Sequence, residues 1–177
     1  MRNKTKKLTS IGIMPVLALA LLAVLGSALA KPARDPVSGF GSSELNLITN
    51  TSSGNVTLFV RGEQLDASLA VQLLEMVYSG NDEEGVFHAT AVSTLDFGDG
   101  NTFTTTDKIV GVPMGDGLYI VNEALTIDSG TGAYTEARGN LSIHGQVQFP
   151  PPGNPPLAQV SFEIRGAISS VETGGQE

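Results

Sequence analysis

Polar and apolar residues alternate along most of this chain, and the alternation has period two. Val86 to Phe97 shows it most clearly. Phe87, Ala89, Ala91, Ser93, Leu95 and Phe97 form one nearly apolar face, and Val86, His88, Thr90, Val92, Thr94 and Asp96 form the other. Such alternation predicts a half-buried β-strand. Leu157 to Ile168 repeats it, with Ala158, Val160, Phe162, Ile164, Gly166 and Ile168 on one side and Gln159, Ser161, Glu163 and Arg165 on the other. Strands are also predicted over Leu118–Ile127, Ala133–Phe149 and Phe103–Val110, and within Asn46–Arg61 around a turn at Thr51-Ser52-Ser53-Gly54. The glycine pair Gly130 and Gly132 should supply positive φ angles for a tight hairpin.

One segment fits two periods. Leu65, Leu69, Leu73 and Met76 make a helical stripe with Asp66 as its cap, while Leu69, Val71, Leu73 and Val77 make a strand face. Its neighbours all read as strands, so a strand is the expectation over 66–78. Gly98-Asp99-Gly100-Asn101 and Pro113 to Gly117 are turns, and Pro150 to Pro156 is a stiff surface loop, because proline cannot donate to a ladder. Seven or eight short strands between turns predict an all-β antiparallel protein, either a closed barrel of about eight strands or a β-sandwich.

The two ends read differently. Arg2, Lys4, Lys6 and Lys7, then the apolar run Ile11–Leu25, then Ser27-Ala28-Leu29-Ala30, have the form of a signal peptide cleaved after Ala30. That predicts a secreted or periplasmic protein with no membrane attachment after cleavage. Residues 31–45, with Pro32, Pro36, Gly39 and Gly41, read as a flexible leader. The β domain is then 46–170, and 171–177 is a polar tail.

Composition narrows the partners. Residues 31–177 carry all eighteen acids of the chain and six bases, a formal charge of −12. Such a surface repels phosphate backbones, which argues against nucleic acid and anionic membranes as partners. The chain has no cysteine and no tryptophan, which excludes disulfides, thiol chemistry and tryptophan stacking platforms.

A resemblance enters at Gly130-Thr131-Gly132, Tyr134 and Ala137-Arg138-Gly139, which resemble the corresponding stretch of plant dirigent proteins. The wider segment, with Leu125, Ile127, Phe149-Pro150 and Gly166, resembles the C-terminal half of allene oxide cyclases. Secreted bacterial members of that barrel superfamily share an Asp-Phe-Gly-Asp-Gly turn like Asp96–Gly100. The resemblance covers roughly 86–168 and implies an eight-stranded antiparallel barrel around a cavity, often in trimers. It implies no activity, since only the turn motif carries over. Leu95 to Gly100 also resembles the signature of polycystic-kidney-disease-type sandwich modules, but their Trp and their His-x-Tyr element are missing.

Little chemistry stands out. Asp96, Asp99 and Asn101 are too few for a calcium loop, which needs six to eight oxygens. His88 and His144 lack a third metal ligand. No metal site and no cofactor is expected. Arg138 reads as an external residue paired with an acid. Glu123 is the unusual residue. With Tyr119, Val121, Leu125 and Ile127 facing inward, Glu123 would be a carboxylate in an apolar interior, a usable proton donor or acceptor. With Leu118, Ile120 and Ala124 inward, it is a surface acid. Both faces are half apolar, and the balance tilts to the surface.

The expected function is binding of a small hydrophobic molecule in an apolar cavity bordered by Phe87, Ala89, Leu95, Leu141 and Phe162. The alternatives are a cyclase or isomerase using Glu123 and Tyr119, and a structural module without a ligand. Val86 and Val92 are apolar residues on the outer face, available to a homo-oligomer.

Overall fold

A computed structural model describes residues 34–79 and 85–169. Eight antiparallel strands form a closed barrel in chain order: β1 (Arg34–Asn46), β2 (Thr51–Val60), β3 (Glu63–Tyr78), β4 (Phe87–Asp96), β5 (Thr102–Gly115), β6 (Leu118–Thr131), β7 (Gly139–Gln148) and β8 (Leu157–Ser169). β8 closes the cylinder against β1 along the whole length of both, from Arg34↔Ser169 to Asn46↔Leu157. This decides against the sandwich alternative, because no sheet edge is left unpaired in a closed cylinder. The signal-peptide segment 1–30 and the tail 171–177 lie outside the described residues, as does most of the acidic turn 81–85.

Residues 34–45 are not a leader. They are β1, the strand that completes the barrel. Pro36 sits near the start of the strand with its side chain outward, a place where a strand tolerates proline. Gly41 faces inward because Phe162 lies across it; a Cβ there would stand 2.6 Å from the Phe162 ring. The residues that looked like breakers are fitted to the barrel wall.

Two other boundaries move. The first hairpin turns at Leu47–Asn50, not at Thr51–Gly54. Asn46 Oδ1 accepts hydrogen bonds from the backbone N–H of Ile48 (2.9 Å) and Thr49 (3.2 Å), and Asn50 adopts a φ of 56°. β6 continues through Gly130 to Thr131, so of the two glycines only Gly132 has a positive φ. A 3-10 turn, Gly132–Tyr134, then precedes β7, which begins at Gly139, later than the alternation suggests. Between β2 and β3, Arg61 and Gly62 both have positive φ (53° and 86°), the conformation of a two-residue turn that matches strand twist.

The segment that fitted two periods is the strand β3. Its inward residues run Leu65, Ala67, Leu69, Val71, Leu73 and then Met76, because the register against β4 slips between Leu73 and Glu75. That bulge leaves Leu74 extra and exposed (63%). Inside the barrel, apolar side chains form two clusters. One is centred on Leu58, Leu95, Phe103 and Ile127, the other on Phe87, Tyr119 and Ala158.

Candidate functional site

Aromatic rings close the interior at both ends. At the end carrying the β4–β5 and β6–β7 connections, Phe97, Phe103 and Tyr134 pack with ring centroids 4.7–5.7 Å apart. At the other end Phe87 meets Tyr78 (6.0 Å), Tyr119 (5.3 Å) and Phe149 (6.4 Å). Phe87 has room because Gly111 lies under it; a Cβ there would fall 2.0 Å from the ring. Leu73, Met76, Tyr78 and Phe149 are only half-buried, so this end is the less sealed one.

Between the ring clusters lies a cavity of ≈ 90 Å³. Phe87, Ala89, Leu95, Leu141 and Phe162, the five residues expected at an interior pocket, all border it. Its wall is mainly aliphatic and aromatic, with four polar exceptions: Ser43, Ser52, Ser93 and Glu123.

Glu123 faces inward, which corrects the tilt toward the surface. β6 buries Tyr119, Val121, Leu125 and Ile127, and Glu123 shares their parity. The competing face, with Ala124 exposed, is the outer one. Hydropathy alone could not separate two half-apolar faces. Pairing did, through Glu123 opposite Ile109 on β5 and Ile143 on β7. Tyr119 is also inward, but it is packed against Phe87 and Phe149 and does not border the cavity. The structure places the two on one face without joining them at one polar centre.

A second interior acid went unrecognised in the sequence. Asp107 on β5 is fully buried. Ser93 Oγ donates to Asp107 Oδ2 (2.5 Å) and Thr105 Oγ1 donates to Asp107 Oδ1 (2.6 Å), so each carboxyl oxygen has a hydroxyl partner. Ser93 and Thr105 face each other across β4 and β5. Phe103, Thr105, Asp107 and Ile109 share a parity, and the apolar pair at its ends was the available signal. Asp107 pairs with Leu125 and Glu123 with Ile109, so the two acids are diagonal neighbours on adjoining strands.

Burial governs both acids. It pushes the Glu123 carboxyl up to about 8, and the charge of Asp107 adds to the shift. Burial also raises Asp107, while the hydroxyls of Ser93 and Thr105 pull it back down. Asp107→Ala is expected to cost about 2–3 kcal/mol, because it strands two buried hydroxyls without an acceptor. Urea denaturation would measure this, and a loss below about 0.5 kcal/mol would show that the network is not held as described.

The remaining sequence candidates lie outside this interior. His88 and His144 are exposed, and His144 Nδ1 is 2.9 Å from Asn122 Oδ1 on the outer face. Asp96 Oδ1 accepts a hydrogen bond from the Gly98 N–H (2.8 Å) as part of its turn. Arg138 is exposed, and its Nη1 donates to the Ala137 carbonyl (2.6 Å) instead of to an acid. No protein-family model matches the chain, and no curated protein matches it.

Proposed function

We propose that this protein binds a small, largely apolar molecule inside the barrel. The carrying observation is the cavity between the two aromatic clusters, walled by apolar side chains from around the cylinder. Closed eight-stranded barrels of this size either fill with side chains or hold one small ligand. Kinship with the allene oxide cyclase and dirigent barrels belongs to the same reading, as does export through the N-terminal segment. The closed antiparallel topology supports that kinship.

Cavity size bounds the ligand. An engineered apolar cavity of about 150 Å³ stays dry and accepts benzene. A space of ≈ 90 Å³ suits a smaller guest, of about four heavy atoms on that scale. A terpenoid or fatty-acid chain would require the half-buried end around Leu73, Met76 and Phe149 to open.

Xenon tests the reading without presupposing a ligand. Xenon pressure is expected to shift the methyl resonances of Leu69, Leu125 and Val160, which border the cavity, and to leave exposed Val77 and Val112 unmoved. Unshifted interior methyls would refute a usable cavity. The cyclase or isomerase reading rests on Glu123, whose raised proton affinity suits acid–base work near neutral pH. It requires Glu123→Gln to abolish turnover in a folded protein.

A further inference from the structure

Three acids are buried toward the interior of the barrel, Asp35, Asp107 and Glu123, and Asp35 is already paired, accepting a hydrogen bond from Arg61 Nε (2.6 Å) near one end. Among the described residues every Lys, Arg and His side chain is exposed. Asp107 is satisfied by Ser93 and Thr105. Glu123 borders the cavity with no hydrogen-bond partner or ion pair among the described residues. A second, independent sign lies on the opposite wall. Ser52 on β2 is 8% exposed, its Oγ has no hydrogen-bond partner, and it borders the same cavity. β2 and β6 stand four strands apart in a ring of eight, so Ser52 and Glu123 face the cavity from opposite sides. A buried hydroxyl without a partner is costly and rare in folded proteins.

Resting on the proposed binding function, we propose that the cavity's ligand is a short primary amine, bound as its ammonium ion with the Glu123 carboxylate as counter-ion and the Ser52 hydroxyl as a further polar contact. The ammonium brings three donors and no acceptor, which complements an interior of carboxylates and hydroxyls. Its alkyl body matches the aliphatic wall, and Phe87 and Phe162, which also border the cavity, are aromatic groups of the kind that attract cations. A carboxylate ligand would be repelled by Glu123 once that acid is ionised, and gains no counter-ion from the wall. An alcohol would satisfy Ser52 and leave the charge unmatched.

Asp107 is the interior charge that acts on Glu123; Asp35 is paired with Arg61 at a different pocket, and Lys108 and His144 point to the outer face of the same sheet. Glu123 holds its proton up to about pH 8. Forming the ion pair below that pH therefore sends one proton from Glu123 to solvent for each ammonium bound. Affinity should rise about tenfold per pH unit between pH 6 and 8.

Propylamine, propan-1-ol and propionate share a three-carbon body and differ in charge. Each would be titrated into the purified protein at pH 8, with the interior methyls as readout and xenon as the apolar control. Propylamine is expected to bind at least tenfold more tightly than propan-1-ol, with propionate silent. Glu123→Gln should remove that preference and keep xenon entry. The amine assignment is overturned if propan-1-ol equals propylamine, or if the Gln variant keeps the preference, while xenon still enters. Failure of xenon to enter would instead sink the cavity reading on which the assignment stands.

Discussion

Glu123→Gln is expected to raise the melting temperature by on the order of 10 °C at pH 8 and to leave it nearly unchanged at pH 4. The unfolded chain ionises this carboxyl near 4.5, and the folded barrel holds it protonated to about 8. Between those values the folded state binds more protons than the unfolded state. Stability therefore falls as pH rises through that window, by up to about 1.4 kcal/mol per pH unit. Below pH 4.5 both states carry the proton and the acid costs nothing. Above pH 8 both states are ionised and the penalty is complete. Glu123 retains some exposure, so the recovered stability is put at about 3 kcal/mol, below the full linkage value. At about 2–4 °C per kcal/mol for a domain of this size, the shift in melting temperature follows. Glutamine keeps the shape and removes the charge. Calorimetry at pH 4, 6 and 8 would show the wild-type protein losing stability across the window and the variant losing far less. The slope left in the variant would report Asp107, whose proton affinity is also raised. Equal effects at pH 4 and pH 8 would mean that Glu123 is not in a low-dielectric interior.

The second large effect is a loss. Phe103→Ala should cost about 3–5 kcal/mol, the range for deleting a buried aromatic side chain. Phe103 is 1% exposed and belongs to the ring cluster with Phe97 and Tyr134 that seals one end of the barrel. Truncation removes apolar contact and leaves a void that two strands and a short turn cannot collapse to fill. Phe40→Ala is the matched control. Phe40 lies on the outer wall, 57% exposed, with the Phe59 ring beside it at 6.4 Å. Its removal should cost less than about 1 kcal/mol. Comparable losses from the two variants in urea denaturation would show that the interior cluster is not the stabilising core.

How legible the fold was depended on the purity of the alternation. β4 and β8 could be read directly, because Phe87 to Leu95 keeps one face apolar except at Ser93, and Ala158 to Ile168 keeps one face free of polar side chains. β3 was ambiguous for a physical reason. Its bulge at Leu74 shifts the inward parity, so Leu65, Leu69, Leu73 and Met76 acquire a spacing that imitates a helix. β1 was hidden by Pro36, Gly39 and Gly41. The fitness of the two glycines for the strand depends on Leu58 and Phe162, which occupy the space that side chains would need.

The site was less legible than the fold. The apolar wall followed from parity, but the polar groups did not. Glu123 was visible as an oddity with two placements, and only pairing with β5 and β7 chose between them. Asp107 looked like one more acid in a threonine-rich strand. Its importance comes from Ser93, fourteen residues earlier, which no local pattern connects to it. Ser52 sat inside what read as a turn, and became a wall residue once the hairpin moved to Leu47–Asn50.

The most direct measurement is the carbon-13 shift of the Glu123 side-chain carboxyl followed against pH in the purified protein. A midpoint near 8 would place the acid in a dry cavity, as the barrel's geometry requires. A midpoint near 4.5, the value of a carboxyl in water, would contradict the enclosed interior and the ligand chemistry drawn from it.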